Sequence, residues 1–308
     1  MLKNLDLLKL ISEPKKGEGN PASRYALHLR PEIVQAYLAE SYAREVARRG
    51  ADIENPEDVN AKLRAVARWL TDGQRKPFLL LYGENPGTGK TTLARAIYRA
   101  LTEDIRALVG RLGNIILNES SRIERKKNRL ISNAIGPELY QARFSYNSLS
   151  NSLHDGGDYD NDRLKPEHPD LFQRVQSIKE RAQGASRPLN EKYARLSIPP
   201  AESIKFVSAH DLVRCAERGG REGLDGFNKA KILFLDDAGA EADSVNYMGN
   251  RIMPVTEILL ERYDSRAVTI LTSNLSDKGL ADRYGVRVAD RLNEVADKIA
   301  FTGQSYRK

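Results

Sequence analysis

The sequence predicts an α/β protein in which a parallel sheet is covered on both faces by helices. Three observations carry this. Phe78-Leu79-Leu80-Leu81-Tyr82 is a short, continuous apolar run, the pattern of a strand buried on both faces. Lys231 to Asp237 and Ala267 to Asn274 read as two more buried strands. Helix-period segments alternate with these strands, and a glycine-rich loop joins the first strand to the helix after it.

The elements follow in chain order. Leu2, Leu5, Leu8 and Ile11 recur along one edge of a short helix, which ends at Pro14 and the glycine-containing stretch beyond it. Pro31 opens a helix that Gly50 stops. Asn55 and Pro56 are N-cap and first residue of another, with Val59, Leu63, Val66 and Leu70 as its buried stripe. The first strand runs from Pro77 to Tyr82, and the helix after the loop packs through Leu93, Ile97 and Leu101. Residues 105–200 read as a partly disordered insertion within the core, with a short helix at 170–183 and a Ser/Asn/Asp/Gly-rich loop at 145–162. Order returns with a strand at Ile204–Val207 and a helix starting at Asp211. After the strand ending at Asp237 come a helix at Val255–Tyr263 and the strand ending at Asn274. A helix over 287–298 and a short strand at Ile299–Phe301 close the pattern. The domain reading is an N-terminal helical region over 1–50 that docks a partner, and a core over 51–308.

Composition narrows the classes. The 308 residues include 49 Lys and Arg against 42 Asp and Glu, a formal charge of +7 that favours an anionic partner. No apolar run reaches the roughly 18 residues that a membrane helix needs, so no membrane role is expected. Cys215 is the only cysteine, which excludes an intrachain disulfide and cysteine-ligated zinc. The four histidines are scattered without ligand spacing. A reducing, cytoplasmic location is the expectation.

The chemistry sits first in Gly83-Glu84-Asn85-Pro86-Gly87-Thr88-Gly89-Lys90-Thr91-Thr92, between a buried strand and an amphipathic helix. That context makes it a phosphate-binding loop. Gly87 and Gly89 let successive N–H groups turn inward, and Asn85, Pro86, Thr88 and Thr92 complete the cradle. Lys90 brings a cation to the phosphates, and the Thr91 hydroxyl is an expected Mg²⁺ ligand. The usual spacing puts the first glycine where Glu84 stands; here it is Gly83, so the loop is one residue longer at its entrance. Asp236 and Asp237 end a strand at its carboxyl edge, where ligands bind in open α/β sheets. Asp236 is the expected Mg²⁺ partner and Asp237 the group that activates water. Asn274 would sit beside the terminal phosphate if its strand lies between those two. Arg287 and Arg291 are candidates for an arginine offered to a neighbouring subunit's phosphate.

Together, PGTGKTTLARAI, ILFLDDAG, ILTSNL, RYGVRVADRL and FTGQSYR resemble the AAA+ ATPases, in particular the DnaC-type helicase loaders and the related IstB-type transposition ATPases. The resemblance covers residues 55–104 and 200–308. It implies a P-loop NTPase core with a five-stranded parallel sheet and no C-terminal lid. It implies ATP and Mg²⁺, slow hydrolysis, and a homo-oligomer with ATP at subunit interfaces. It makes Arg287 the trans arginine, Asn274 a sensor and Arg307 a second sensor. The implied partners are a replicative DNA helicase and single-stranded DNA; for the IstB-type alternative they are duplex DNA and a transposase. Arg214, Arg218 and Arg221 are a candidate DNA face, with the basic run 122–129 as a second.

Overall fold

The computed structural model describes residues 7–12, 25–51, 55–136 and 169–303. Helices α1 (Pro31–Arg48) and α2 (Pro56–Thr71) both begin with proline, whose missing N–H has no intrahelical acceptor at that position. Asn55 caps α2 by accepting from the Asp58 N–H at 3.1 Å. Strand β1 (Phe78–Tyr82) leads into α3 (Lys90–Arg99), and a π turn over Ala100–Asp104 joins α3 to α4 (Ile105–Ile135). Helix α5 (Pro169–Arg195), β2 (Ile204–Ser208), α6 (Ala209–Gly219) and β3 (Ile232–Ala238) come next. A small hairpin, β4 (Val245–Tyr247) and β5 (Asn250–Ile252), precedes α7 (Pro254–Asp264) and β6 (Val268–Ser273). Helices α8 (Asp277–Tyr284) and α9 (Val286–Val295) then lead to β7 (Ala296–Ala300).

The described residues divide into two compact units, one within Leu5–Gly110 and Ser197–Lys308, the other within Arg111–Leu196. In the first unit, five parallel strands lie in the order β2-β3-β6-β1-β7. This is the helix-flanked α/β core that the sequence predicts. All six residues of β6 are buried, as a strand in mid-sheet requires. Leu8 and Ile11 are each 4% exposed, Ile11 bridges to Leu29, and the Leu27 N–H donates to Leu70 O at 2.7 Å. Ser41 Oγ on α1 donates to Ala96 O on α3 at 3.0 Å. The described residues before position 51 therefore build the same unit as the sheet rather than a separate region. Leu2 and Leu5 lie outside the described residues.

The chain's end differs from expectation. Helix α9 stops at Val295 and β7 starts at once, because Ala296 pairs with Phe78 and the register runs to Ala300 opposite Tyr82. Parallel pairing with β1 ends the helix three residues early. Helix α8 and the β4–β5 hairpin have no counterpart in the sequence reading.

In the second unit the described residues hold two long helices, where the sequence reading expects one short helix at 170–183. Helix α4 runs for 31 residues and α5 for 27. Helix α4 has no proline and many Leu, Ile, Arg and Lys, all compatible with a helix, but its charged surface dilutes the apolar period. Ile131 and Val175 are buried together, with Leu171 and Ile178 against them. The run 145–162 lies outside the described residues. Among the described residues, no helix is long and apolar enough to cross a membrane.

Arg262 on α7 is fully buried. Its Nε donates to Thr269 Oγ1 at 2.8 Å and its Nη2 to Val268 O at 2.6 Å. Its Nη1 donates to the carbonyls of Phe227, Asn228 and Ala230 at 2.9, 3.1 and 3.0 Å. Burial lowers its pKa to about 10, which leaves it charged at neutral pH. One guanidinium thus saturates the loop before β3 and the start of β6. Arg262→Met is expected to destabilise the fold by about 3–5 kcal/mol in chemical denaturation, because it orphans these buried acceptors. Arg262→Lys should recover little, since one ammonium cannot span the same fork.

Candidate functional site

The loop between β1 and α3 depends on glycine in two ways. Gly87 (φ +80) and Gly89 (φ +93) adopt left-handed conformations that other residues rarely enter. Gly89 is the N-cap of α3, so the helix's free N–H groups open onto the loop. Gly83 needs space instead. A Cβ there would lie 2.1 Å from Phe301 O, just after β7. The Phe301 N–H donates to Tyr82 O at 2.7 Å and the Gly83 N–H to Ser273 O at 3.2 Å. The displaced first glycine therefore answers to the close approach of β7, while exposed Glu84 occupies the usual glycine position.

Lys90 Nζ donates to Gly83 O at 2.7 Å, Asn85 O at 2.9 Å and Thr88 Oγ1 at 3.2 Å. Burial lowers its pKa below the ordinary lysine value, and the Asp237 charge opposes that shift. Thr88 Oγ1 donates to Asn85 O at 3.2 Å, and Asn85 Nδ2 to Gly303 O at 3.1 Å. Asn85 and Pro86 are exposed, whereas Thr92 is buried beneath the loop.

Across the sheet edge, the β3–β6 register slips between Leu235 and Ala238. Leu235 pairs with Leu271 and Ala238 with Ser273, so Thr272 alone opposes both Asp236 and Asp237. Its hydroxyl donates to Asp236 Oδ1 at 2.7 Å and accepts from the Asp237 N–H at 2.8 Å. Thr91 Oγ1 donates to the same Asp236 oxygen at 2.9 Å. Asp237 has φ +59, a left-handed conformation that Asp tolerates better than most residues. Asn274 Nδ2 donates to its Oδ1 at 2.8 Å. Strand β6 does lie between β1 and β3, which puts Asn274 at the middle of this edge. Thr272 is the residue whose role the sequence reading missed; the signal was a hydroxyl one place before the strand-end Ser-Asn, facing a doubled carboxylate.

The donors present suit a magnesium–triphosphate. Thr91 and Asp236 supply two hard oxygens side by side, and Mg²⁺ is commonly held by few protein ligands plus phosphate oxygens. Lys90 and the N-terminus of α3 supply the opposing positive charge.

The turn after Asp237 is anchored by Glu241, which is 7% exposed. Its carboxylate accepts from the Gly239 N–H and from the Tyr284 hydroxyl, each at 2.8 Å. Arg283 bridges Glu241 and Asp243. Burial, and then the Glu241 charge, push the Tyr284 hydroxyl pKa well up. Three residues on, Arg287 is exposed on the first turn of α9, with no hydrogen-bond or ion-pair partner among the described residues. Arg291 is engaged instead: it pairs with Asp264 at 3.3 Å and lies over the Tyr263 ring at 4.5 Å. Arg307 lies outside the described residues. Of the candidate DNA face, Arg221 is forked onto Glu257 at 2.8 and 3.0 Å, Arg214 sits 3.7 Å from Asp211, and Arg218 is exposed.

No family model and no curated protein matches the chain. Among solved structures it is similar to one titled as the crystal structure of the DnaI, at 15% identity over 94% of this chain and 100% of that one, with a TM-score of 0.39. The fold stated above rests on the sheet order and not on that likeness.

Thr272→Val removes, at nearly constant volume, the hydroxyl that bonds the Asp236 carboxylate and the Asp237 N–H. The expected cost is about 1–3 kcal/mol in denaturant unfolding, because buried Asp236 and the Asp237 N–H each lose a partner. Thr272→Ser should restore most of it.

Proposed function

We propose that the chain is an ATP-hydrolysing AAA+ switch that loads a replicative DNA helicase onto single-stranded DNA. The observation that carries the nucleotide part is the Asn274–Asp237 hydrogen bond beside the Thr91–Asp236–Thr272 chain. It sets a base, its orienting amide and two hard-oxygen donors along one sheet edge. Asn85, Pro86, Gly87, Thr88, Gly89 and Thr92 form the loop, and Lys90 holds the phosphate charge. Thr91 and Asp236 would hold Mg²⁺, which neutralises charge on the phosphate oxygens when bound. Asp237 takes a proton from the attacking water, whose oxygen bonds to the terminal phosphorus as the bond to the bridging oxygen breaks. ADP and phosphate leave. Asn274 keeps the Asp237 carboxylate aimed.

Arg287 acts in trans. It is exposed and unpaired, whereas Arg291 is held by Asp264 and Tyr263, so Arg287 is the arginine free to reach a neighbour. The helicase and DNA assignments rest on the sequence resemblance.

Lys90→Ala is expected to abolish binding of a fluorescent ATP analogue. Asp237→Asn should keep binding and lower hydrolysis at least a hundredfold. Neither Lys90→Ala nor Arg287→Ala should hydrolyse ATP alone, yet mixing the two should restore part of the activity. Wild-type protein that fails to bind ATP overturns the nucleotide reading, and a mixture that stays inactive overturns the shared site. Co-elution with a hexameric helicase only when ATP is present is the expected partner result; selective co-elution with a transposase would replace the loader reading by the transposition one.

A further inference from the structure

The positive charge of this chain is not spread evenly. The described part of the second unit, residues 111–136 and 169–196, carries twelve Lys and Arg against five Asp and Glu. Its net charge of +7 equals that of the whole chain, so all other residues together are formally neutral. On α4 the cations form a stripe. At 3.6 residues per turn, Arg111, Arg122, Lys126 and Arg129 fall within about 60° of one another, over a length of about 27 Å. Ile131, in the seam with α5, lies about 180° from Arg122, so the stripe faces away from the helix pairing. Lys126 and Arg129 are exposed and have no partner among the described residues; Arg174 and Arg181, two turns apart on α5, are likewise exposed and unpartnered. Arg122 meets only Glu119, at 3.8 Å and with the Arg122 side chain 75% exposed.

We propose that this helical pair binds the phosphate backbone of duplex DNA, without sequence preference. A row of exposed guanidinium and ammonium groups along a stiff helix matches a regularly spaced row of phosphates. Helix α4 contains no aromatic residue, and on α5 Tyr193 is the one exposed ring among the described residues, so the pair offers no row of rings on which successive bases of a single strand could stack. On α4 the exposed large apolar side chains are Leu117 and Leu130, two isolated leucines rather than the continuous apolar face that enters a lipid surface. The surface uses none of the groups assigned to nucleotide, and the inference does not rest on that assignment.

The test is fluorescence anisotropy of the full chain with a labelled 30-base-pair duplex, without nucleotide, across a salt series. The wild type should bind with affinity that falls steeply with salt. The triple variant Arg122→Gln, Lys126→Gln, Arg129→Gln should bind at least tenfold more weakly, with a salt slope smaller in magnitude by about 2–3. The charge-preserving variant Arg122→Lys, Lys126→Arg, Arg129→Lys should bind like the wild type, which separates lost charge from lost fold. Lys90→Ala should also bind duplex normally, so failure of the ATP reading leaves this result intact. Equal duplex binding by wild type and the glutamine variant overturns the proposal. So does tighter wild-type binding to a single strand of the same length, or capture by phosphatidylserine vesicles in place of duplex.

Discussion

One oxygen organises the site. Asp236 Oδ1 accepts hydroxyl hydrogens from Thr91, on the first turn of α3, and from Thr272, near the end of β6. Asp236 is 6% exposed, so its charge is sustained by these bonds rather than by bulk water. The two donors come from elements separated by most of the chain, and a single carboxylate ties them to β3. The glycine-rich loop, the paired side-chain oxygens and the strand-end amide meet at that junction.

The junction exists because β3 carries one residue too many for its partner. A regular ladder would turn Asp237 to the opposite face from Asp236. The extra residue instead sets the Asp236 carboxylate and the Asp237 N–H on one hydroxyl, that of Thr272, with Asp237 at φ +59. A left-handed non-glycine residue carries about 1–3 kcal/mol of strain, which the surrounding bonds must offset. The Thr272 and Asn274 contacts to Asp237 do so directly. Glu241 secures the turn that follows by accepting from Gly239 and Tyr284. The conformation of this turn is thus held by neighbours rather than by local preference.

Much of the sheet is legible from residues 78–82, 232–235 and 268–273, because a strand buried on both faces shows as a short run free of charged residues and rich in apolar ones. The loop was legible because Gly87, Gly89, Lys90 and Thr91 occur between a strand and a helix. The bulge was not, since nothing in Leu-Asp-Asp-Ala announces an extra residue until its partner strand is known. Helix α4 and the full length of α5, of which the sequence shows only 170–183, are hidden for a different reason: a two-helix unit buries few side chains, so its apolar period is faint beneath Arg, Lys and Glu. Helix α9 was drawn too long because Val295 and Ala296 suit a helix locally, and only pairing with β1 decides otherwise. The choice between Arg287 and Arg291 needed Asp264 and Tyr263, which no local reading brings near.

Gly83 has a consequence for how such loops are recognised. The customary motif counts residues from its opening glycine to the lysine, and treats that count as fixed. In this chain the opening glycine is required by the backbone carbonyl of Phe301, just after the last strand, so its place is dictated by the sheet's edge. A spacing rule counted from that glycine passes over this loop, whereas a rule anchored on Gly87, Gly89 and Lys90 finds it.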